Sequence, residues 1–258
     1  MAMLDFILHT PYAQAQFLII FATVSVAYVI FGIAGFGTAL VAGPVLLHYM
    51  PLSQVIPLLV LLDCVAAFGR LARSYKNVVP AELFRLVPFM ALGSVAGIVI
   101  LLSTQADALL LMMGCFVTLY AVYALFTPRP KTVLATAWAM PLGVSGGLVG
   151  ALFGSGGFLY AIYLNGRLQT KEKAGATQST LIGISTLVRL TMLTLAGTYT
   201  DLSLWVMALY LLPALIVGLW AGNHITLRVS RETFIRAVNV IILASGAMLI
   251  YRAYMNGF

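Results

Sequence analysis

Few residues of this 258-residue chain can do chemistry, and several of them lie where charge is expensive. Asp63 stands ten residues into an apolar run that begins at 53. On a helix, that is about mid-bilayer, at ~1.5 Å per residue. An ionisable side chain at that depth is a functional candidate by default. A carboxyl group there can take up and release a proton, which makes Asp63 a candidate for coupling protons to anion movement. The competing roles are a fixed pair with Arg189 and a protonated acid bonded to a backbone carbonyl. Arg70 and Arg189 each follow a long apolar run. Arg70 lies close to Arg73 and Lys76, where a long side chain reaches water, whereas Arg189 is deeper. The planar guanidinium fork suits an oxyanion, so Arg189 is a candidate anion contact and Arg70 a candidate gating residue. Thr177-Gln178-Ser179-Thr180 is the most polar run inside any span. Thr177 and Gln178 are candidates to face a substrate, against the alternative of bonding between helices.

Other chemistry is missing from the pattern. His48 and His224 fall at helix ends, Trp138, Trp205 and Trp220 suit interfacial belts or packing, and Cys64 and Cys115 sit singly in apolar runs. No Ser–His–Asp arrangement and no metal or haem spacing occurs, so neither an enzyme nor a resident cofactor is expected.

The elements that must position these groups follow from composition. The chain is 62% apolar and 8% charged, with a mean hydropathy of +1.05. Soluble domains carry about 25% charged residues, so a water-soluble fold is excluded. The 14 Lys and Arg against 7 Asp and Glu would suit nucleic acid in a soluble protein, but here membrane topology accounts for the +7 charge. No cleavable signal is expected, since the first Lys or Arg is Arg70. Helices are expected at 53–74, 83–102, 106–126, 172–196, 203–223 and 232–254. Two further stretches, 17–48 and 132–165, are each interrupted by a glycine cluster. Gly35-Phe36-Gly37 precedes a short run at 38–48, and Gly154-Ser155-Gly156-Gly157 precedes another at 158–165. Such short runs reach only about half of a bilayer. Each stretch is therefore expected to be a hairpin whose glycine tip lies inside the membrane.

The two halves, 1–128 and 129–258, align with one another. Gly35, Gly37, Arg70 and Leu71 fall on Gly154, Gly156, Arg189 and Leu190 at an offset of 119. After a six-residue insertion the offset is 125, which places Leu86-Val87-Pro88 on Leu211-Leu212-Pro213, Gly93 on Gly218, and Ala96-Gly97 on Ala221-Gly222. Loop charge then sets orientation. Loop 48–53 has no Lys or Arg, whereas 165–173 has Arg167, Lys171 and Lys173. Loop 73–82 has Arg73 and Lys76 against none in 196–203; 102–107 has none against Arg228 and Arg231 in 223–231. Equivalent loops thus carry opposite bias, and the positive-inside rule puts them on opposite sides. The joining loop, with Arg129 and Lys131, belongs inside. The expected fold is an all-α, multi-pass integral membrane protein of two inverted repeats, each a hairpin plus three transmembrane helices, with both termini outside.

Inverted repeats around broken helices are an architecture of secondary transporters, with substrate near the midplane. The short helices begin just after the glycine tips, so their free N–H groups and dipoles would face an anion there. Gly35, Phe36, Gly37, Thr38, Gly154, Ser155, Gly156 and Gly157 are the candidate contacts, Thr38 and Ser155 adding hydroxyls. Close helix packing is the alternative role for these glycines, and it suffices for Gly93 and Gly97.

Gly35-Phe36-Gly37-Thr38-Ala39 with Pro44, Gly150 through Gly157 leading into Tyr163-Leu164-Asn165-Gly166-Arg167, and Lys173-Ala174-Gly175-Ala176-Thr177 resemble the signatures of the sulfite exporter TauE/SafE family, also called the toluene-sulfonate uptake permeases (TSUP). The resemblance runs from about residue 17 to 254. It implies a plasma-membrane (bacterial inner-membrane) permease for sulfur-containing anions such as sulfite or organosulfonates, often working outward. One departure is Tyr163, which stands where the second half would carry the proline matching Pro44 and offers a phenol as a substrate contact. The expected function is alternating-access transport of a small sulfur-containing anion. A passive anion channel or an importer of an organic anion is the second reading. The lipid bilayer is the expected surroundings, and homo-oligomerisation stays open.

Overall fold

The computed structural model describes residues 14–126, 134–168 and 170–225, with 240, 243, 246–247 and 250–251. The expected helix at 232–254 and the joining-loop residues Arg129 and Lys131 lie outside the continuous described segments, as do Arg228 and Arg231. The described residues are helical without strands. In chain order they form α1 (Gln14–Ala34), α2 (Thr38–Leu46), α3 (Leu52–Ser74), α4 (Pro80–Ser103), α5 (Ala106–Phe126), α6 (Ala139–Phe153), α7 (Gly157–Arg167), α8 (Lys171–Leu195) and α9 (Leu202–Ile225).

The two glycine clusters do interrupt helices. Gly35 and Gly154 take φ of +86° and +65°, a left-handed turn that costs glycine nothing, and each donates its N–H back to a carbonyl four residues earlier. The short helices that follow have 9 and 11 residues, Thr38–Leu46 and Gly157–Arg167. The second starts at Gly157 rather than 158 and runs two residues past 165. The arm before it starts at Ala139, after a 3-10 turn at Thr136–Trp138, and not at 132. Pro141 sits in the first turn of this arm, where a missing N–H removes no helical bond. Likewise α4 starts at Pro80, not 83, with the proline at its first position.

Among the described residues, five helical segments are long and apolar enough to cross a membrane: Gln14–Ile33, Leu52–Arg70, Pro80–Ser103, Thr136–Phe153 and Leu202–Gly222. By length, then, the first arms of both expected hairpins could each cross on their own. The 25-residue α8 is not among the five; the polar run at 177–180 and Arg189 lower its hydropathy.

Packing between the halves is intimate. The largest interfaces pair α4 with α6 and α1 with α9, while α3 lies against α8. Small residues allow this, since lipid tails give helices no hydrophobic reason to associate and close backbone contact must replace it. A β-carbon on Gly93 would strike the Val144 carbonyl, and one on Gly97 would come within 2.7 Å of the Leu148 carbonyl. Across the other interface, a β-carbon on Gly218 would lie 2.5 Å from the Ser25 carbonyl, and one on Gly222 2.5 Å from that of Val29. Val144 and Leu148 follow Ser25 and Val29 by 119 residues, as Gly218 and Gly222 follow Gly93 and Gly97 by 125. Gly93 and Gly97 are packing residues, as expected.

Candidate functional site

The hairpin tips meet each other halfway along α3 and α8. Gly154 lies bare against Ala39, whose Cβ would be 2.7 Å from an added methyl, and Gly157 lies equally close to the Cβ of Phe36. Thr38, the first residue of α2, reaches Asp63, the twelfth of the 23 residues of α3. Gln178 of α8 donates to the Gly157 carbonyl at 3.2 Å. An aromatic group from α5 covers the tips: Tyr120 against Phe158 at 4.6 Å between ring centroids, and Phe116 stacked on Phe153 at 4.9 Å.

A cavity of about 20 Å³ lies between the tips, α3 and α8. That is room for one water molecule. Asp63, Thr38 and Arg189 line it with Tyr160, Ser185 and the bare backbone of Gly37, Gly154, Gly156 and Gly157. Asp63 is 3% exposed and Arg189 4%. Buried charges are costly unless paired and hydrogen-bonded, and these two are. Asp63 Oδ1 accepts from the Tyr28 hydroxyl and from Thr38 Oγ1, each at 2.9 Å. Arg189 Nη2 approaches Asp63 Oδ2 at 3.9 Å, an ion pair too long for a hydrogen bond. Its own hydrogen bonds run from Nη1 to the Gly150 carbonyl at 2.9 Å and from Nη2 to Thr186 at 3.1 Å. Among the described residues, Arg189 Nε and Ser155 Oγ are buried without a hydrogen-bond partner, and the Tyr160 hydroxyl stands near Ser185 without a well-formed one.

Arg70 occupies the corresponding place on the other tip. It donates to the Phe31 carbonyl at 2.5 Å, lies over the Phe31 ring, and sits 3.4 Å from where a Gly35 methyl would be. Phe31 and Gly150, whose carbonyls accept from the two arginines, are again 119 apart, and each also accepts the N–H of its tip glycine. Each arginine therefore caps the carbonyl end of a hairpin arm, where a cation also meets the negative end of the helix dipole.

Not every expected site residue reaches the cavity. Phe36, Gly37, Thr38, Asp63, Gly154, Gly156, Gly157 and Arg189 come together there. Gly35 lies behind the tip against Arg70, and Ser155 is buried beside the lining rather than in it. Gln178 holds the tip from outside the cavity. Thr177 and Tyr163 are placed elsewhere. Thr177 Oγ1 accepts the Val79 N–H at 3.0 Å, capping the start of α4. The Tyr163 phenol donates to Glu82 Oε2 at 2.8 Å. Glu82, only 5% exposed, also takes Arg167 at 3.0 Å and Arg85 at 2.7 Å, tying α4 to the last turn of α7. Tyr28, Tyr160 and Ser185 belong to the site without having stood out in the sequence. Tyr28 could have been suspected, being one helical turn before Phe31 and so on the face of α1 that leads into the tip.

A family model described as Sulfite exporter TauE/SafE matches residues 20–249. The chain belongs to this family. No curated protein and no solved structure matches it. As a TauE/SafE member with several long apolar helices, it is a multi-pass membrane protein of an anion-transporter family rather than of an enzyme family. Among the described residues no group of His, Cys, Asp and Glu is arranged to hold a metal ion.

Proposed function

We propose that this TauE/SafE chain is a secondary transporter, working outward, of a small sulfur-containing anion such as sulfite or an organosulfonate. The observation that carries the reading is the meeting of both glycine tips at one buried cavity with Arg189 beside the first turns of α2 and α7. The first N–H groups of a helix have no intrahelical acceptor, so those turns offer donors and positive dipole ends without any side-chain charge. Among the described residues Arg189 is the one cation of the lining, and its Nε is a donor in want of an acceptor. Asp63 is the candidate proton carrier and Arg70 a gating candidate, set in the plasma membrane.

Alternating access follows from two inverted repeats, 1–128 and 129–258, rocking about the tips. The recurrence of the Gly93–Val144 and Gly218–Ser25 contacts at the sequence offsets supports the repeat, as do the matched Arg70–Phe31 and Arg189–Gly150 bonds. A cavity of about 20 Å³ is compatible with a closed stage of such a cycle. Purified protein should bind sulfite, sulfoacetate or thiosulfate in preference to chloride, and should move the bound anion across liposomes with saturating kinetics. Binding of chloride alone, or flux that never saturates, would replace the transporter with a channel.

A further inference from the structure

We propose that the Asp63 carboxylate is a tethered stand-in for the substrate, so that each monovalent anion enters the site only together with one proton on Asp63. This rests on the anion-transport reading above and specifies the charge of its substrate and the coupling. Since proton and anion move together, outward movement then runs down the anion's own gradient.

The geometry is that of a bound oxyanion. Asp63 accepts the hydroxyl of Thr38, the first residue of α2, as well as that of Tyr28, and it faces Arg189. Those are donors that a sulfonate or hydrogensulfite would use at this tip. The cavity beside the carboxylate holds no more than a water, so an anion can load only if Asp63 yields its donors. A protonated carboxyl does so. It accepts more weakly and has an O–H of its own to give, which releases Thr38 and Arg189.

Charge counting gives the same answer. Among the described residues, Asp63 is the one acid and Arg189 the one base in the lining, which sum to zero. A monovalent anion beside an ionised Asp63 would leave one uncompensated negative charge out of water, which is costly. With Asp63 protonated the sum returns to zero. A dianion would still leave a net charge, so the site selects monovalent sulfur oxyanions. The other titratable groups around the Asp63–Arg189 pair do not replace Asp63 as proton carrier: Tyr28 from α1 and Tyr160 from α7 are phenols, Cys64 is the thiol next to Asp63 on α3, and Tyr199, before α9, donates its hydroxyl to the Pro57 carbonyl. In each step an O–H bond forms on Asp63 as the anion binds and breaks when the anion leaves on the other side.

The test uses methanesulfonate, which is monovalent throughout the working pH range. Calorimetry on the purified wild-type protein at pH 7.5, in buffers of different ionisation heat, should show uptake of about one proton per anion bound. In proteoliposomes, a pH gradient should accumulate methanesulfonate toward about tenfold per pH unit, independent of a potential set with potassium and valinomycin. D63N should bind with no proton uptake and lose the response to the gradient, while D63E should restore it. Zero proton uptake by the wild type, accumulation driven by potential instead of pH, or a D63N protein that still follows the gradient would each overturn the proposal. If the wild type binds neither methanesulfonate nor sulfite, the transport reading itself falls instead.

Discussion

Arg167 donates from Nη2 to the Glu82 carboxylate at 3.0 Å, fastening the last turn of α7 to the first turn of α4. Tyr163 donates to the other carboxylate oxygen, and Arg167 also holds the Leu134 carbonyl. Glu82 is buried, so replacing it strands several donors at once. E82Q should lower stability by about 1–3 kcal/mol, read as a fall in the melting temperature of the protein in detergent. R85A should change little, because Arg85 is 44% exposed and such pairs contribute little. A loss in R85A equal to that in E82Q would contradict this ranking.

The two tip glycines that follow Phe36 and Ser155 are not interchangeable as probes. A β-carbon on Gly156 would run into the Gly146 carbonyl, so G156A should fail to fold or express poorly. Gly37 has nothing within 4 Å of an added β-carbon, and only its φ of +99° opposes substitution. G37A should therefore fold with a cost of about 1–2 kcal/mol and lose anion binding through the methyl filling the cavity mouth. Sulfite affinity at the wild-type level in folded G37A would remove this tip from the site. Expression as a fluorescent fusion distinguishes the two variants.

The legible features were those that break an apolar background. Glycine clusters, Asp63 and the arginine pair stand out because each is costly or useless in a plain lipid-facing helix. Helix faces were not legible. In a bilayer both the lipid side and the protein side of a helix are apolar, so the 3.6-residue pattern that orients soluble helices is blurred. Hence only its spacing from Phe31 hints at Tyr28, and nothing in the pattern separates Tyr163 and Thr177, which bond to Glu82 and to the Val79 N–H, from residues that line the cavity. Glu82 lies two residues after Pro80, where an acid at a helix start ordinarily sits in water, and only its bonds to α7 make it structural.

Arg70 and Arg189 cap equivalent carbonyls yet differ in surroundings, and their variants should differ accordingly. Arg189 faces the cavity; Lys would keep its charge but not the fork that bonds both Gly150 and Thr186. R189K should weaken anion binding about ten- to a hundredfold, and R189Q should abolish it. R70K should leave affinity within a few-fold of wild type, because Arg70 reaches the Phe31 carbonyl behind the tip and does not line the cavity. Binding isotherms with sulfite decide it: comparable losses in R70K and R189K would put Arg70 at the anion.

Ser53 and Glu172 are the exposed second residues of α3 and α8, and they are 119 apart in sequence. In the inverted arrangement they face opposite sides of the membrane, although the helices that carry them are equivalent. S53C and E172C, each in a background lacking Cys64 and Cys115, should react with a membrane-impermeant maleimide from opposite sides in intact cells and inverted vesicles. The loop charges put Glu172 inside, next to Arg167 and Lys173, and Ser53 outside. The result bears directly on the first arms, α1 and α6, which are each long enough to cross alone. If both cross fully and α2 and α7 cross as well, the three crossings that separate 53 from 172 become five, and parity is unchanged. If only the first arms cross while the short helices stop at the tips, parity changes and the two cysteines react from the same side. Labelling from one side would therefore exclude the returning hairpin, and labelling from opposite sides would exclude the arm that crosses without return.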